Sequence, residues 1–481
     1  MEAPWAQALI LAPLAGAMSA FLWPHRARAI GLVTMLLLVM SVAGLGIQMA
    51  RFGIYRHLVG GWAPPLGIEL YADGLSLLLL AATAVVGAGV SVYAADYFRG
   101  HDAAHFWPLW LFLLAALDAL FLSRDIFNIY VTLELLGLAA VALTGLGGGR
   151  DALGGAMRYL LATLLGSLLY LLGVAMLYHG FGALDIGVLA LRIRPTPLVW
   201  ATLGLMGAGL CLKTAVFPLH FWLPPAHANA PAPVSAALSG LVVKASLYVL
   251  LRMWIDVFGT VAAGASVLFG VLGAVAVLWG SLQALRQARL KLLVAYSTVA
   301  QIGYLFLAFP LGAASGWTAW GAVAYLALSH ALAKAAMFLA TGNLLRFGGH
   351  DRIADLDRVA QRLPLTTWAF ALAGVSIMGL PPSGGFVGKW LLLQAALAQG
   401  RWGIAAVVVV GGLLAAAYVF RVLGHTFTQA PVPHEARPVP AHMQWAALLL
   451  AGGAVLLGFI APFVLSMLRI GHPFAMWEAG S

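Results

Sequence analysis

Apolar runs of about 20 residues, each followed by a short polar stretch, repeat from one end of the chain to the other. Fourteen can be marked, roughly 4–22, 29–50, 72–95, 107–122, 126–146, 155–179, 198–218, 232–254, 262–285, 292–311, 317–345, 366–397, 402–424 and 443–468. Runs of this length suit α-helices crossing a hydrocarbon core of ~30 Å. The polar stretches between them are too short for a soluble domain. The 481 residues therefore predict one all-α, polytopic membrane domain. Residues 6–22 are followed by further spans, so they predict a retained first helix and not a cleaved signal. The stretch 51–71, with Trp62, Pro64, Pro65 and Gly67, is the longest loop on its side and reads as a hairpin.

Two runs carry helix breakers at membrane depth. The seventh leads into Pro218 and then a stretch with prolines 224, 225, 231 and 233, which forbid a continuous helix. The twelfth contains GLPPSGGFVGK at 379–389, where Gly384 and Gly385 beside Pro381 and Pro382 predict a non-helical turn. Irregular backbone at this depth is tolerated only inside protein or against a wet cavity. Broken helices at corresponding positions of two halves point to inverted repeats with an ion site at the break. The breaks lie five runs apart, which predicts five-helix repeats over 107–254 and 262–424.

Composition narrows the function classes. The chain is 63% hydrophobic and 9% charged, with mean hydropathy +0.96. The net charge of +10 is spread over loops, with no basic run interleaved with aromatics, so nucleic acid is not an expected partner. Cys211 is the single cysteine, which excludes an intrachain disulfide and a cysteine-ligated metal or iron–sulfur cluster. No nucleotide-binding glycine motif or haem-type histidine pair is present, so no cofactor or metal is expected, nor redox chemistry of the chain's own. Loops after odd-numbered runs carry 14 Lys and Arg, and the remaining loops carry eight. That bias predicts the odd loops in the cytoplasm and both termini outside; the expected setting is a bacterial-type inner (plasma) membrane.

The lysines change the picture most. Lys213, Lys244, Lys334 and Lys389 sit inside apolar runs, and Lys291 stands at a run's edge, whereas all 21 arginines read as loop or run-end residues. A guanidinium keeps its proton, while an ammonium in low dielectric can give it up. Ionisable groups at membrane depth mark ion or proton paths by default. Glu134, in FNIYVTLELLGLAAVAL, reads as the most secluded carboxylate, with Lys213 its partner. Lys244, Lys334 and Lys389 continue the series, with His330 one helical turn before Lys334 on the same face.

Blander readings stand beside these. A lysine near a span end ordinarily snorkels to the interface, but four central lysines, two of them at breaks, fit that poorly. His330 reads equally as a satisfied core histidine. His220 and His227 flank the Pro-rich break and read as mouth residues, either proton-entrance groups or merely interfacial. Asp118, in LLAALDALFL, reads as pairing with a polar neighbour or lining a cavity, and Asp73 as a helix N-cap at the interface.

Several stretches resemble the antiporter-like subunits shared by Mrp cation/proton antiporters and respiratory complex I. They are FLSRDIFNIYVTLELL at 121–136, LKTAVFPLHFWLPPAHANAPAPVSAALSGLVVK at 212–244, LLVAYSTVAQIGY at 292–304, LSHALAKAAMFLATG at 328–342 and GLPPSGGFVGKW at 379–390. The resemblance covers about 70–425. It implies fourteen helices, inverted repeats of helices 4–8 and 9–13, and broken helices 7 and 12. It implies that Glu134 and Lys213 form the essential pair, that Lys244 is the central relay, that His330 and Lys334 hold the helix-eleven positions, and that Lys389 is the outlet. Lys389 and the absence of a long lateral helix suit the D-type Mrp subunit, which would work with partner membrane subunits to exchange protons for Na⁺ or another monovalent cation. Other readings are a complex I-like or membrane-hydrogenase pump subunit, a partner in proton-driven inorganic-carbon uptake, and a non-conducting scaffold subunit.

Overall fold

A computed structural model of the chain describes residues 4–259, 261, 263–430, 437–471 and 474. It is almost entirely helical. In chain order the helices are α1 (Trp5–Leu22), α2 (Ala27–Phe52), α3 (Gly74–Tyr97), α4 (His101–Leu122), α5 (Ile126–Gly145), α6 (Gly149–Phe181), α7 (Ile186–Arg192), α8 (Pro197–Thr214), α9 (Leu223–Asn229), α10 (Ala232–Ala237) and α11 (Val243–Arg252). They continue as α12 (Ala265–Arg286), α13 (Leu290–Phe306), α14 (Phe309–Gly348), α15 (Val359–Arg362), α16 (Pro364–Met378), α17 (Gly384–Ala398), α18 (Trp402–Phe427), α19 (Ala441–Leu456) and α20 (Ala461–Leu468). π turns at Leu238–Val242 and Met253–Phe258 join α10 and α11 into one helical segment, Ala232–Phe258.

Among the described residues, 12 helical segments are long and apolar enough to cross a membrane, and 13 if the bent pair α19–α20, with an 81° angle, is one span. The expected run 366–397 is broken, as its sequence predicts, into two short apolar helices, α16 and α17. The loop 51–71 holds an antiparallel strand pair, β1 (Tyr55–Leu58) on β2 (Glu69–Ala72), with Tyr55 opposite Ala72. We call that end of the molecule the hairpin face.

Burial separates the helices by role. The most apolar stretches of Ala232–Phe258 and of α14 are wholly buried within the protein. By contrast, α6 shows Leu153, Met157, Leu161, Leu165, Leu168 and Leu172 on its outside at helical spacing. An apolar outer stripe is what a lipid-facing helix requires. A tight contact beside Lys213 joins α6 to α8. A Cβ added at Gly166 would stand 2.9 Å from the Gly209 carbonyl and 3.0 Å from Lys213 Cγ. Small residues there let the backbones approach and leave a groove for the lysine stem.

A buried chain of basic groups between two helix breaks

The first break follows Lys213. Helix α8 stops at Thr214 because Ala215 takes a left-handed conformation, φ 59°, and the next amide turns back onto the Cys211 carbonyl. The Trp222 indole satisfies the Leu212 carbonyl at 2.8 Å. The prolines interrupt the segment, as expected, and do so by standing at the starts of new helices. Pro224 and Pro225 lie in the first turn of α9 and Pro233 in the first turn of α10, where a missing N–H is harmless. Lys213 Nζ donates to Thr163 Oγ1 of α6 at 2.6 Å and stands 3.8 Å from Glu134 Oε1 of α5. A cavity of about 20 Å³, lined among others by Tyr159, Thr163, Lys213, Trp222 and Ser246, adjoins the pair. It has room for about one water. Glu134 is not the most secluded carboxylate. Its side chain is 20% exposed on the outer side of α5, while Asp73 and Asp118 are fully buried.

Lys244 lies just beyond the first π turn and donates to the Ser239 carbonyl inside that turn. The Ser239 hydroxyl meets Thr298 Oγ1 of α13 at 2.8 Å, and Thr298 donates to the Val294 carbonyl at 3.0 Å. Lys334 of α14 donates to the same carbonyl at 3.0 Å and to Ser297 Oγ. One turn along α13, Gln301 Nε2 donates to the Ile377 carbonyl at 3.3 Å. Lys389 Nζ shares that carbonyl at 2.7 Å, also donates to Met378 O at 3.3 Å, and sits 4.2 Å over the Tyr304 ring. A polar track along α13, from Ser297 to Gln301, thus spans the distance between Lys334 and Lys389. Sequence reasoning missed it. Its signal was the polar spacing inside LLVAYSTVAQIGY.

The second break is also displaced from its expected residues. Helix α16 ends at Met378, Gly379 is left-handed at φ 83°, and Ser383 caps α17 by accepting from Phe386 N. Gly384 and Gly385 are the first helical residues of α17 and not the turn. Lys389 reaches back from α17 to the free carbonyl end of α16. A cation is favoured there by the helix dipole and by the unpaired carbonyls.

His330 is buried one turn from Lys334, as its spacing predicted, and lies within electrostatic reach of Lys244, Lys334 and Lys389. His227 is not a mouth residue. It is fully buried, stacked on Phe338 at 4.6 Å, and within reach of Lys291, Lys334 and Lys244. Neither ring nitrogen of either histidine has a hydrogen-bond partner among the described residues. Lys291 is buried as well and donates to the Ala230 carbonyl. Its own amide donates to Asp351 at 3.3 Å, and Asp351 pairs at 3.0 Å with the partly exposed Arg289. Asp118 joins none of this, and its carboxylate oxygens find no hydrogen-bond partner among the described residues.

The arginine rule has an exception. Arg252 is buried at the end of α11 against Asp73, which caps α3 through Leu75 N and Ser76 N, as expected, and is itself fully buried. A guanidinium is tolerated there because carboxylate, Ser76 and Tyr248 all take its hydrogen bonds.

This arrangement has counterparts among known proteins. The family model for the transmembrane region of NADH:quinone oxidoreductase and Mrp antiporter subunits matches residues 123–415. The NADH-quinone oxidoreductase subunit N of Desulforudis audaxviator is 38% identical over 453 residues, covering 89% of each chain. The D-type subunit of the Na(+)/H(+) antiporter of Bacillus subtilis is 31% identical, over 83% of this chain and 80% of that one. A chain of the membrane-bound sulfane sulfur reductase, an archaeal respiratory membrane complex, superposes with TM-score 0.91 at 27% identity, over 99% of this chain and 98% of that one. The chain is a multi-pass membrane protein, and it belongs to the antiporter-like family of NADH:quinone oxidoreductase and Mrp antiporter subunits.

Proposed function

We propose that this chain moves protons through the buried basic groups between its two helix breaks, as one subunit of a larger membrane assembly. The observation that carries the reading is the continuity of the track. Lys244, Ser239, Thr298, the Val294 carbonyl and Lys334 follow one another through shared or adjoining hydrogen-bond partners, and one turn further along α13 Gln301 shares the Ile377 carbonyl with Lys389. His330 lies within electrostatic reach of three of the lysines, and water can bridge the gaps. Glu134 and Lys213 act as the switch. At 3.8 Å the pair is neither locked nor broken, and Thr163 offers the ammonium a second partner. Opening leaves a lone ammonium in low dielectric, from which a proton passes to a neighbouring amine. His227, Lys291 and Asp351 supply a branch toward the Arg289 end of the molecule.

The relatives support transport over redox chemistry as this subunit's part. One is named for quinone reduction, one for sodium–proton exchange, and one belongs to a sulfur-reducing complex. What such assemblies can share is an ion path. Mrp-type exchange of protons for Na⁺ is one driver. A quinone-reducing assembly is the second, and the 38% identity to a subunit of that name favours it over the 31% of the antiporter relative. The test uses the intact complex in sealed vesicles with a pH-sensitive dye. A Na⁺ step that moves protons identifies the exchanger, and NADH with a quinone that does so identifies the redox pump. A complex that passes no protons under either drive, or whose current survives Lys244→Ala, sinks the reading.

A further inference from the structure

A second set of ionisable groups lies on the helix that carries Lys244. Lys244, Tyr248, Arg252 and Asp256 recur every fourth residue along Ala232–Phe258, so they form one stripe from the centre of the protein to the hairpin face. The outer three are joined. Arg252 Nε donates to Tyr248 Oη at 3.1 Å, and its Nη1 lies 3.8 Å from Asp256 Oδ2. The Tyr248 hydroxyl donates to the Phe121 carbonyl at 3.1 Å and lies 3.0 Å from Ser76 Oγ. Asp256 rides on the second π turn with its side chain 30% exposed.

These groups border a cavity of about 260 Å³ at the hairpin face, whose walls include Asp73, Ser123, Arg124, Tyr248, Arg252 and Asp256. Asp73 is fully buried, and its Oδ2 has no hydrogen-bond partner among the described residues. Two arginines face two aspartates, so the walls favour neither a cation nor an anion. They do favour water, and the volume holds several molecules at ~30 Å³ each. The cavity beside Lys389, about 230 Å³, contrasts with it. Its walls are Met378, Leu380, Phe386, Trp390, Val408 and similar residues, with Lys389 the one ionisable group among them.

We propose that the polar cavity is a water-filled proton port connecting Lys244 with the hairpin face through Tyr248 and Asp256, an inference that rests on Lys244 being a relay amine. The step conserves protons. The Lys244 ammonium gives one to the Tyr248 oxygen, directly or through one water. The tyrosine hydroxyl releases its own proton into the cavity, and Asp256 accepts it and passes it outward. Arg252 carries no proton in this scheme. Held by Asp73, it positions Tyr248 and Asp256. In the structure Lys244 points the other way, onto Ser239. Turning its flexible stem from Ser239 toward Tyr248 exchanges the lateral track for the port.

The experiment uses the whole complex in vesicles. Tyr248→Phe and Asp256→Asn leave the Asp73–Arg252 pair intact. Each should lower proton flux about tenfold or more, and Asp256→Glu should restore it. Formate, a diffusible carboxylate, should rescue Asp256→Ala, which a purely structural role for the carboxylate would not allow. Asp256→Cys in a Cys211→Ser background should react with a membrane-impermeant maleimide from the hairpin face only. Normal flux in Tyr248→Phe and Asp256→Asn, with Lys244→Ala inactive, overturns the port and leaves the relay standing. Normal flux in Lys244→Ala overturns both. If the flux variants fail to assemble, the maleimide decides, and a thiol at 256 that does not react from the hairpin face refutes the port.

Discussion

Three of the four central lysines are held by oxygens that carry no charge. Lys244 rests on a backbone carbonyl, Lys334 on a carbonyl and a hydroxyl, and Lys389 on two carbonyls. Such partners accept a hydrogen bond from an ammonium or from a neutral amine, so the site tolerates both states. A guanidinium has only the charged state. Lys244→Arg should therefore assemble in normal amounts yet cut flux by about a hundredfold, read with a pH dye. Near-normal flux in that variant would remove Lys244 from the path. Lys213 differs because Glu134 faces it. Glu134→Gln and Lys213→Ala should each abolish transport, and the double variant should be hardly worse than either single, a strongly non-additive cycle. Partial losses that multiply in the double variant would mean that the two act independently. The lysines were legible because an amine inside an apolar run has no ordinary explanation. Ser239, Ser297 and Thr298 were not, since buried hydroxyls in helices commonly bond back to their own carbonyls, as Thr298 also does to Val294. Nor was the Arg252–Asp73 pair, whose partners lie 179 residues apart.

At the scale of elements, the breaks matter because they free carbonyls and re-aim side chains. Prolines and glycines announced both breaks in the sequence but did not locate them. Helix α8 ends on an alanine, Ala215, which nothing local marks as left-handed. Gly384 and Gly385 read as a turn, yet they begin a helix. A Cβ on Gly384 would stand 2.8 Å from Ser329 Oγ, so what the site lacks is room. Gly379 is the residue whose backbone sets the second turn. Its φ of 83° suits glycine, and an added Cβ would stand 2.7 Å from Lys389 Cδ. Gly379→Val should displace Lys389 from the α16 carbonyls, lowering flux and yield together. Gln301→Leu tests the α13 track without altering the turn at Gly379 itself. It should assemble normally and reduce flux, because the donor beside Lys389 on the Ile377 carbonyl is gone. Wild-type flux in Gln301→Leu would show that protons bypass α13.

At the scale of the molecule, the direction of transport depends on which face meets the cytoplasm. The two faces are chemically distinct. One has the hairpin, the Asp73–Arg252 pair and the polar cavity. The other has the Arg289–Asp351 pair leading inward to Lys291 and His227. Loops on this second face carry the larger share of positive charge, 14 Lys and Arg against eight. Such a bias retains loops in the cytoplasm during insertion. The orientation expected from it puts the hairpin outside and the Asp351 branch inside, so the proposed port at Asp256 would open on the outer side. Cys211 is buried, so a Cys211→Ser background gives a silent baseline for labelling. Trp62→Cys, at an exposed hairpin position, should react with an impermeant maleimide in intact cells, whereas Arg352→Cys should react only after the membrane is opened. The opposite pattern would invert the molecule. The port would then open to the cytoplasm and the Asp351 branch to the outside, reversing the direction in which the relay carries protons without altering a single contact within it.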